Sequence, residues 1–125
     1  MNKKILLADD DQVLRDSIKE VIIQEGFEYI EAENGVQCLE KAESEKPDLI
    51  LLDLAMPGLD GLSALKKLRG SNEWGANVPV ILLTSLEPDD TINNYINQTN
   101  PSYYLVKSRT QPTEVIEKIK SVLKI

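Results

Sequence analysis

Apolar residues occur along the chain in two alternating patterns, short continuous runs and longer segments with helical spacing. The runs that begin at Ile5, Leu49, Val78 and Tyr103 are apolar at nearly every position. Such runs are typical of strands that are buried on both faces of a parallel sheet. A further segment alternates apolar and polar residues and is predicted to be an edge strand. The predicted strands are 5–8, 27–32 (the edge strand), 49–52, 78–83 and 103–106.

Between these strands, apolar residues three and four positions apart predict five amphipathic helices. Glycine and proline mark several of their ends, because neither residue continues a helix readily. Segment 70–77 lacks such spacing and is predicted to be a polar loop. The predicted helices lie between Asp11 and Gly26, between Asn34-Gly35 and Pro47, from the capping residue Asp60 to Gly70, over 89–98, and from Pro112 onward.

Five strand–helix units in succession predict a parallel sheet with helices on both faces, because crossovers between parallel strands are right-handed. The length of 125 residues predicts a single domain, residues 1–125. The doubly wound five-stranded α/β arrangement has the strand order 2-1-3-4-5, and its ligand crevice lies between the first and third strands. Those strands are followed by Asp9-Asp10-Asp11 and by Asp53, which predicts an acidic crevice.

The composition excludes several classes of function. A net charge of −7 argues against direct nucleic-acid binding, which depends on clustered lysine and arginine. No apolar run approaches the length of a membrane span, so no membrane association is expected. The chain has no histidine, which excludes histidine triads and histidine metal ligands. Its single cysteine, Cys38, is expected to be a buried, inert thiol in a reducing, cytoplasmic setting.

Five residues with candidate chemistry stand just after predicted strands. Asp9 and Asp10 follow the first strand, Asp53 the third, Thr84 the fourth and Lys107 the fifth. Carboxylates gathered in one crevice repel each other, and a bound hard cation relieves that repulsion. Because the available ligands are oxygens, with neither histidine nor a suitable cysteine, the crevice is predicted to bind Mg²⁺ or Mn²⁺.

These residues suit phosphoryl transfer, in which positioning and charge neutralisation supply most of the catalysis. Asp53 is the predicted nucleophile, since a carboxylate can form an acyl phosphate. Asp9, Asp10 and Asp11 could form only a solvated acidic turn, an explanation that their place at the strand end disfavours for Asp9 and Asp10. Three other assignments have a purely structural explanation. Thr84 can cap a helix, Lys107 can be a surface ammonium paired with any nearby acid, and Asp11 is expected only to cap the first helix.

The segments at these strand ends resemble those of the receiver domain of response regulators in two-component signalling. The resemblance covers essentially the whole chain and implies a flavodoxin-like fold of the chemotaxis-receiver kind. Four segments in order carry the resemblance, and together they are far more specific than any one of them. These segments are Ile5–Asp11, Asp48–Gly61, Val78–Ser85 and Tyr104–Lys107.

The resemblance implies the chemistry of the site. Asp53 accepts a phosphoryl group from the phosphohistidine of a partner histidine kinase or histidine phosphotransfer protein. Asp10 and Asp53 bind Mg²⁺ together with the backbone carbonyl of Ala55, while Asp9 acts mostly through water. Such a domain catalyses only its own phosphorylation and dephosphorylation, so it is not an enzyme in the ordinary sense.

The resemblance also implies a conformational switch. Thr84 and Lys107 contact the phosphoryl oxygens, and Tyr104 is the aromatic switch residue that turns inward as Thr84 moves. The change is read by an output protein at the face formed by the fourth helix, fifth strand and fifth helix. A second copy of the chain is a further expected partner, in a phosphorylation-dependent homodimer.

Two alternatives and one departure qualify this interpretation. A pseudo-receiver keeps the fold as a protein–protein interaction module without phosphorylation, and the intact set of five site residues argues against it. An aspartyl-nucleophile phosphatase is disfavoured because Ala55 occupies the position of its second acid.

The family usually has proline directly after the lysine, whereas Ser108 stands here. The loop after Lys107 is therefore expected to have a shape of its own.

Overall fold

The five strand segments form one parallel sheet in the computed structural model, which describes residues 2–125. The strands are β1 (Lys4–Ala8), β2 (Glu28–Ala32), β3 (Leu49–Leu52), β4 (Val80–Thr84) and β5 (Tyr103–Val106). Their order is β2-β1-β3-β4-β5, which confirms both the doubly wound α/β fold and the edge position of the second strand. Ala8 of β1 pairs with Leu52 of β3, so the residues that follow these two strands leave the sheet side by side.

Six helices cover the two faces of this sheet. They are α1 (Gln12–Gln24), α2 (Gly35–Glu45), α3 (Gly61–Ser71), α4 (Glu73–Asn77), α5 (Asp90–Thr99) and α6 (Pro112–Leu123). Side chains of Asp11 and Asp60 accept hydrogen bonds from backbone N–H groups in the first turns of α1 and α3. These bonds satisfy N–H groups that have no partner within the helix. The predicted capping by both aspartates is therefore confirmed.

The prediction of a polar loop over 70–77 was wrong. The helix α3 continues to Ser71, and after Asn72 the chain forms the short helix α4. The Asn72 side chain accepts a hydrogen bond from Gly75 N at 2.7 Å and so begins α4, while Trp74 packs against the hydrophobic core. A helix of five residues is too short to show helical periodicity, which explains why the pattern did not reveal it.

Each face of the sheet has its own hydrophobic core. On one face, Leu6 and Leu52 pack with residues of α2, α3 and α5. On the other face, Ile5 and Leu51 pack with residues of α1 and α6. Every residue of β3 is at most 1% exposed, so this strand is the most enclosed element of the sheet. The residue that follows it is therefore attached to a rigid support.

Cys38 is a core-facing residue of α2 and is expected to resist thiol reagents. The residue is 2% exposed, and burial raises the pKa of its thiol to about 12. Because the thiolate is the reactive form, we expect Ellman's reagent near neutral pH to label less than about one-tenth of Cys38 in the time that labels the unfolded protein completely. Absorbance of the released thionitrobenzoate, with and without guanidinium chloride, measures both rates. Rapid stoichiometric labelling of the folded protein would contradict this expectation.

Candidate functional site

Asp53 stands where the buried strand β3 meets a turn. Its backbone N–H donates to Ala8 O at 2.9 Å, which extends the pairing with β1 by one residue. Asp53 is only 3% exposed, and its Oδ1 accepts a hydrogen bond from Ala55 N at 3.2 Å. The chain then closes back, since Gly61 N at the start of α3 donates to Leu54 O at 3.0 Å. The carboxylate is therefore held at a fixed place at the carboxyl edge of the sheet.

Two further carboxylates approach Asp53 from the loop that follows β1. Asp9 is fully buried, whereas Asp10 is exposed. One carboxylate oxygen from each of Asp9, Asp10 and Asp53 lies within 4.8 Å of the other two. The Asp9 carboxylate also accepts a hydrogen bond from Asp11 N at 2.8 Å. The structure thus brings together the three acidic side chains that the sequence placed at the ends of β1 and β3.

Lys107 supplies a positive charge to this cluster. Its Nζ lies 2.7 Å from Asp9 Oδ2 and 3.3 Å from Asp53 Oδ2. Burial lowers the pKa of the Lys107 ammonium, but pairing with these two carboxylates outweighs that effect and leaves the pKa above its ordinary value. The side chain is therefore a cation at neutral pH and bridges two of the three acids.

One lysine does not balance the buried charge of Asp9. Burial raises the pKa of the Asp9 carboxyl above its ordinary value, and pairing with Lys107 offsets this only in part. Among residues 2–125, no donor makes a directed hydrogen bond to the buried Asp9 Oδ2, whose contact with Lys107 is an ion pair. A cluster of oxygen ligands with uncompensated negative charge fits a hard divalent cation such as Mg²⁺. Asp9, Asp10 and Asp53 are the side chains that can hold it.

We expect Asp9→Asn to stabilise the metal-free protein at neutral pH by about 1 kcal/mol, or roughly 3–5 °C in unfolding temperature. The folded-state pKa of Asp9 is raised, so its carboxyl favours the folded state when protonated and loses that contribution as pH rises through this pKa. The gain from asparagine should therefore be largest at neutral pH and should shrink on acidification. Thermal unfolding in a chelator, followed by circular dichroism across pH, measures this dependence.

Asp16→Asn is the matched control for this prediction, because Asp16 is an exposed aspartate of α1. It removes the same charge without changing a buried carboxyl, so its effect on stability should be within about 0.5 kcal/mol. An equal gain from both variants would show that net charge, rather than burial of Asp9, limits stability.

Thr84 and Tyr104 meet at one residue of the loop that follows β4. Thr84 is the last residue of β4 and is fully buried. Its Oγ1 accepts a hydrogen bond from Leu86 N at 3.3 Å. The Tyr104 hydroxyl donates to Leu86 O at 2.7 Å, while its ring packs against the core. The backbone of Leu86 therefore links the two residues that the family resemblance names as the switch.

The loop after β5 contains Ser108 where the family usually has proline. Lys107–Arg109 form a short 3₁₀ helix, and Thr110 Oγ1 donates to Val106 O at 2.8 Å across it. Arg109 donates from both terminal guanidinium nitrogens to the Glu87 carboxylate, with Nη2 3.1 Å from Glu87 Oε2. This bidentate pair connects the loop after β4 to the turn that positions Lys107.

Arg15 is a residue near the site that the sequence analysis did not single out. It is 4% exposed, and its Nη1 donates to the backbone O of Asp9 at 2.6 Å. A signal for it was present, since Arg15 shares the helical spacing of Ile18 and Ile22, both buried residues of α1. A cation within the apolar stripe of a helix indicates a buried partner.

The fold and the acidic crevice place the chain among doubly wound α/β proteins of the flavodoxin-like class, with a carboxylate at the switch point of the sheet. Residues 5–120 match the response regulator receiver domain, and the chain belongs to this family. Receiver domains are signalling domains rather than classical enzymes. They interact with histidine kinases or phosphotransfer proteins. They also bind Mg²⁺ at an acidic pocket.

Curated relatives of two lengths match the chain. Sporulation initiation phosphotransferase F of Bacillus subtilis is 40% identical over 74% of this chain and 72% of its own length. Chemotaxis protein CheY of the same organism is 33% identical over 98% of this chain and 99% of its own. The chain spans only 50% of a longer relative, the transcriptional regulatory protein PhoP of B. subtilis, at 34% identity over 99% of this chain.

Solved structures agree with these relatives. A CheY-like receiver domain protein from Methanospirillum hungatei superimposes with a TM-score of 0.89 at 27% identity, covering 99% of this chain and 95% of that one. The receiver domain of a sensor histidine kinase from Pseudomonas aeruginosa, solved with a magnesium ion coordinated in the active-site cleft, gives 0.84 at 28% identity over 97% of both chains. None of the helices within residues 2–125 is long and apolar enough to cross a membrane.

Proposed function

We propose that residues 1–125 act as one receiver domain, which accepts a phosphoryl group on Asp53 from the phosphohistidine of a histidine kinase or phosphotransfer protein. One observation carries this proposal. The nearly buried Asp53 carboxylate lies 3.3 Å from the Lys107 ammonium and within 4.8 Å of oxygens from Asp9 and Asp10. A nucleophilic carboxylate beside a fixed cation and spare acidic ligands suits phosphoryl transfer.

In the proposed transfer, a carboxylate oxygen of Asp53 attacks the phosphorus atom of the donor. The new O–P bond forms as the N–P bond to the donor imidazole breaks, and its electron pair stays on the departing nitrogen. Asp9, Asp10, Asp53 and the Ala55 carbonyl are the groups that would hold Mg²⁺, which would supply positive charge that offsets the repulsion of the anionic acceptor and the anionic donor. The Lys107 ammonium neutralises charge on the transferred group, because it already lies beside Asp53.

The contacts of Leu86 support a route from the phosphoryl group to the surface. A Thr84 hydroxyl that turns toward the phosphoryl group gives up its bond from Leu86 N, and the same loop holds the Tyr104 hydroxyl. Tyr104 is then free to turn inward, which changes the face formed by α5, β5 and α6. Because the short helix α4 was not predicted, α5 and α6 are the fourth and fifth of the predicted helices. Phosphorylation thus shifts the population between two states of this face. An output protein or a second copy of the chain is the proposed reader.

Incubation with acetyl phosphate tests the proposal directly. We expect the intact mass to rise by one phosphoryl group in the presence of Mg²⁺, and we expect a chelator to prevent the increase. Hydroxylamine should remove the group, because it cleaves acyl phosphates and not phosphate esters. No uptake from acetyl phosphate or from a phosphorylated donor protein, with Mg²⁺ or Mn²⁺ present, would favour the pseudo-receiver instead.

A further inference from the structure

The guanidinium of Arg15 lies under the loop that carries Asp9 and Asp10. The residue is 4% exposed, and arginine is rarely buried to this extent unless it is paired. Nε lies 3.5 Å from Glu31 Oε2, and Nη2 lies 3.7 Å from Glu33 Oε1. Glu31 belongs to β2 and Glu33 follows that strand, so both acids approach the guanidinium from the edge of the sheet.

These two glutamates do not account for the placement of Arg15. Their side chains are 41% and 62% exposed, and the contacts of 3.5 and 3.7 Å are longer than an ordinary hydrogen bond. Solvent around the two carboxylates therefore weakens both pairs. The buried Nε makes no directed hydrogen bond to any of residues 2–125. The shortest contact of the guanidinium is instead the buried bond from Nη1 to Asp9 O at 2.6 Å. Because its donor is charged, this bond is stronger than a hydrogen bond between neutral groups.

The Asp9 carbonyl lies just beyond the paired part of the sheet. The pairing of β1 with β2 ends at Ala8 and Ala32, and Asp9 N donates to Ala32 O at 3.0 Å. The carbonyl belongs to the peptide unit that joins Asp9 to Asp10. A donor held by α1 therefore fixes the plane of this peptide, and with it the directions in which both carboxylates leave the backbone.

We propose that Arg15 is a positioning residue for the cation site. By holding the Asp9–Asp10 peptide, it keeps both carboxylates directed toward Asp53 before a divalent cation binds. The part of this inference that concerns the cation rests on the proposed function. The part that concerns the loop does not, because the hydrogen bond is present without any cation.

Positioning and simple electrostatics predict opposite effects of removing Arg15. A positive charge near the acidic cluster opposes the binding of another cation, so loss of the charge alone would tighten Mg²⁺ binding. Loss of a contact that orients metal ligands weakens binding, typically by about 10- to 100-fold. The direction of the change in Mg²⁺ affinity therefore separates the two effects.

Titration calorimetry with MgCl₂ measures this direction. We expect Arg15→Met, which keeps an unbranched apolar stem, to weaken Mg²⁺ binding by about tenfold. Arg15→Lys retains the charge and a shorter donor, so it should lose less affinity. If the methionine variant does not fold, the lysine variant still decides, because a pure charge effect predicts no change for it. Mg²⁺ affinity that is unchanged or higher in the folded variants would overturn the positioning role.

Arg69→Met is the matched control. The Arg69 guanidinium also donates to backbone carbonyls, those of Gly75, Val78 and Thr99. Val78 precedes β4, so these carbonyls lie near the amino ends of the strands, whereas Asp53 lies at the carboxyl ends. Loss of this arginine should lower the unfolding temperature and leave Mg²⁺ affinity within about twofold of wild type. A similar loss of affinity in both variants would show general destabilisation rather than positioning.

Amide hydrogen exchange in a chelator tests the loop without any cation. Asp11 N donates to the Asp9 carboxylate at 2.8 Å, so exchange of this amide reports the position of Asp9. We expect it to become about tenfold faster in Arg15→Met, while the Ile92 amide, bonded to Asp89 at 2.8 Å, keeps its rate. Unchanged exchange at Asp11 would overturn the role of Arg15. Failure of the wild-type protein to bind Mg²⁺ would instead contradict the proposed function.

Discussion

The Asp53→Asn protein is expected to take up no measurable phosphoryl group, with labelling reduced on the order of a hundredfold or more. Asparagine has nearly the same shape and can still accept the hydrogen bond from Ala55 N. Its amide oxygen, however, is a poor nucleophile and cannot form an acyl phosphate. The substitution also removes one of the three negative charges that would hold a divalent cation. Intact-mass measurement after incubation with acetyl phosphate and Mg²⁺ quantifies the difference.

Asp48→Asn is the matched control, since it makes the same chemical change just before the amino end of the same strand. The Asp48 carboxylate accepts a hydrogen bond from Lys4 N at 2.7 Å, far from the carboxyl edge where Asp53 lies. This variant should therefore be labelled at the wild-type level. Equal labelling of Asp53→Asn and wild type would mean that another residue receives the phosphoryl group.

The approach of Asp53 to the acidic loop could be predicted from two regularities of the sequence. A strand that is apolar at every position belongs in the centre of a parallel sheet, and this identified 49–52 as a central strand. The doubly wound order then places the first strand beside the third. The observed pairing of Ala8 with Leu52 is the register that follows, and it brings Asp9 next to Asp53.

The contacts of the two cations near the site could not be predicted in the same way. Lys107 was expected beside the phosphoacceptor, yet its Nζ lies closer to Asp9 than to Asp53. Which acid a long, flexible side chain contacts depends on burial and packing, and a residue pattern does not record either. Arg15 illustrates the same limit, because its partner is a backbone carbonyl. Any residue type provides a carbonyl, so no sequence motif marks it.

Gly61→Ala is expected to destabilise the protein by about 3 kcal/mol and to slow phosphorylation of Asp53 about tenfold. An added Cβ would lie 2.7 Å from Leu54 Cα and would overlap the carbonyl oxygen of Asp53. Both are backbone atoms, so no side-chain rotation relieves the overlap. The first turn of α3 must move away from β3, which breaks the bond from Gly61 N to Leu54 O. Urea unfolding and initial phosphorylation rates measure the two effects.

Gly70→Ala makes the same chemical change in the same helix, where an added Cβ would meet nothing within 4 Å. Because alanine is the better helix former, this variant should be more stable than wild type by about 0.5–1 kcal/mol and should be phosphorylated at the normal rate. The two variants therefore differ in sign, and only the close approach of α3 to the backbone of Asp53 explains the difference. If Gly61→Ala proved as stable as Gly70→Ala, α3 would be able to shift freely. The position of Asp53 would then have to depend on β3 alone.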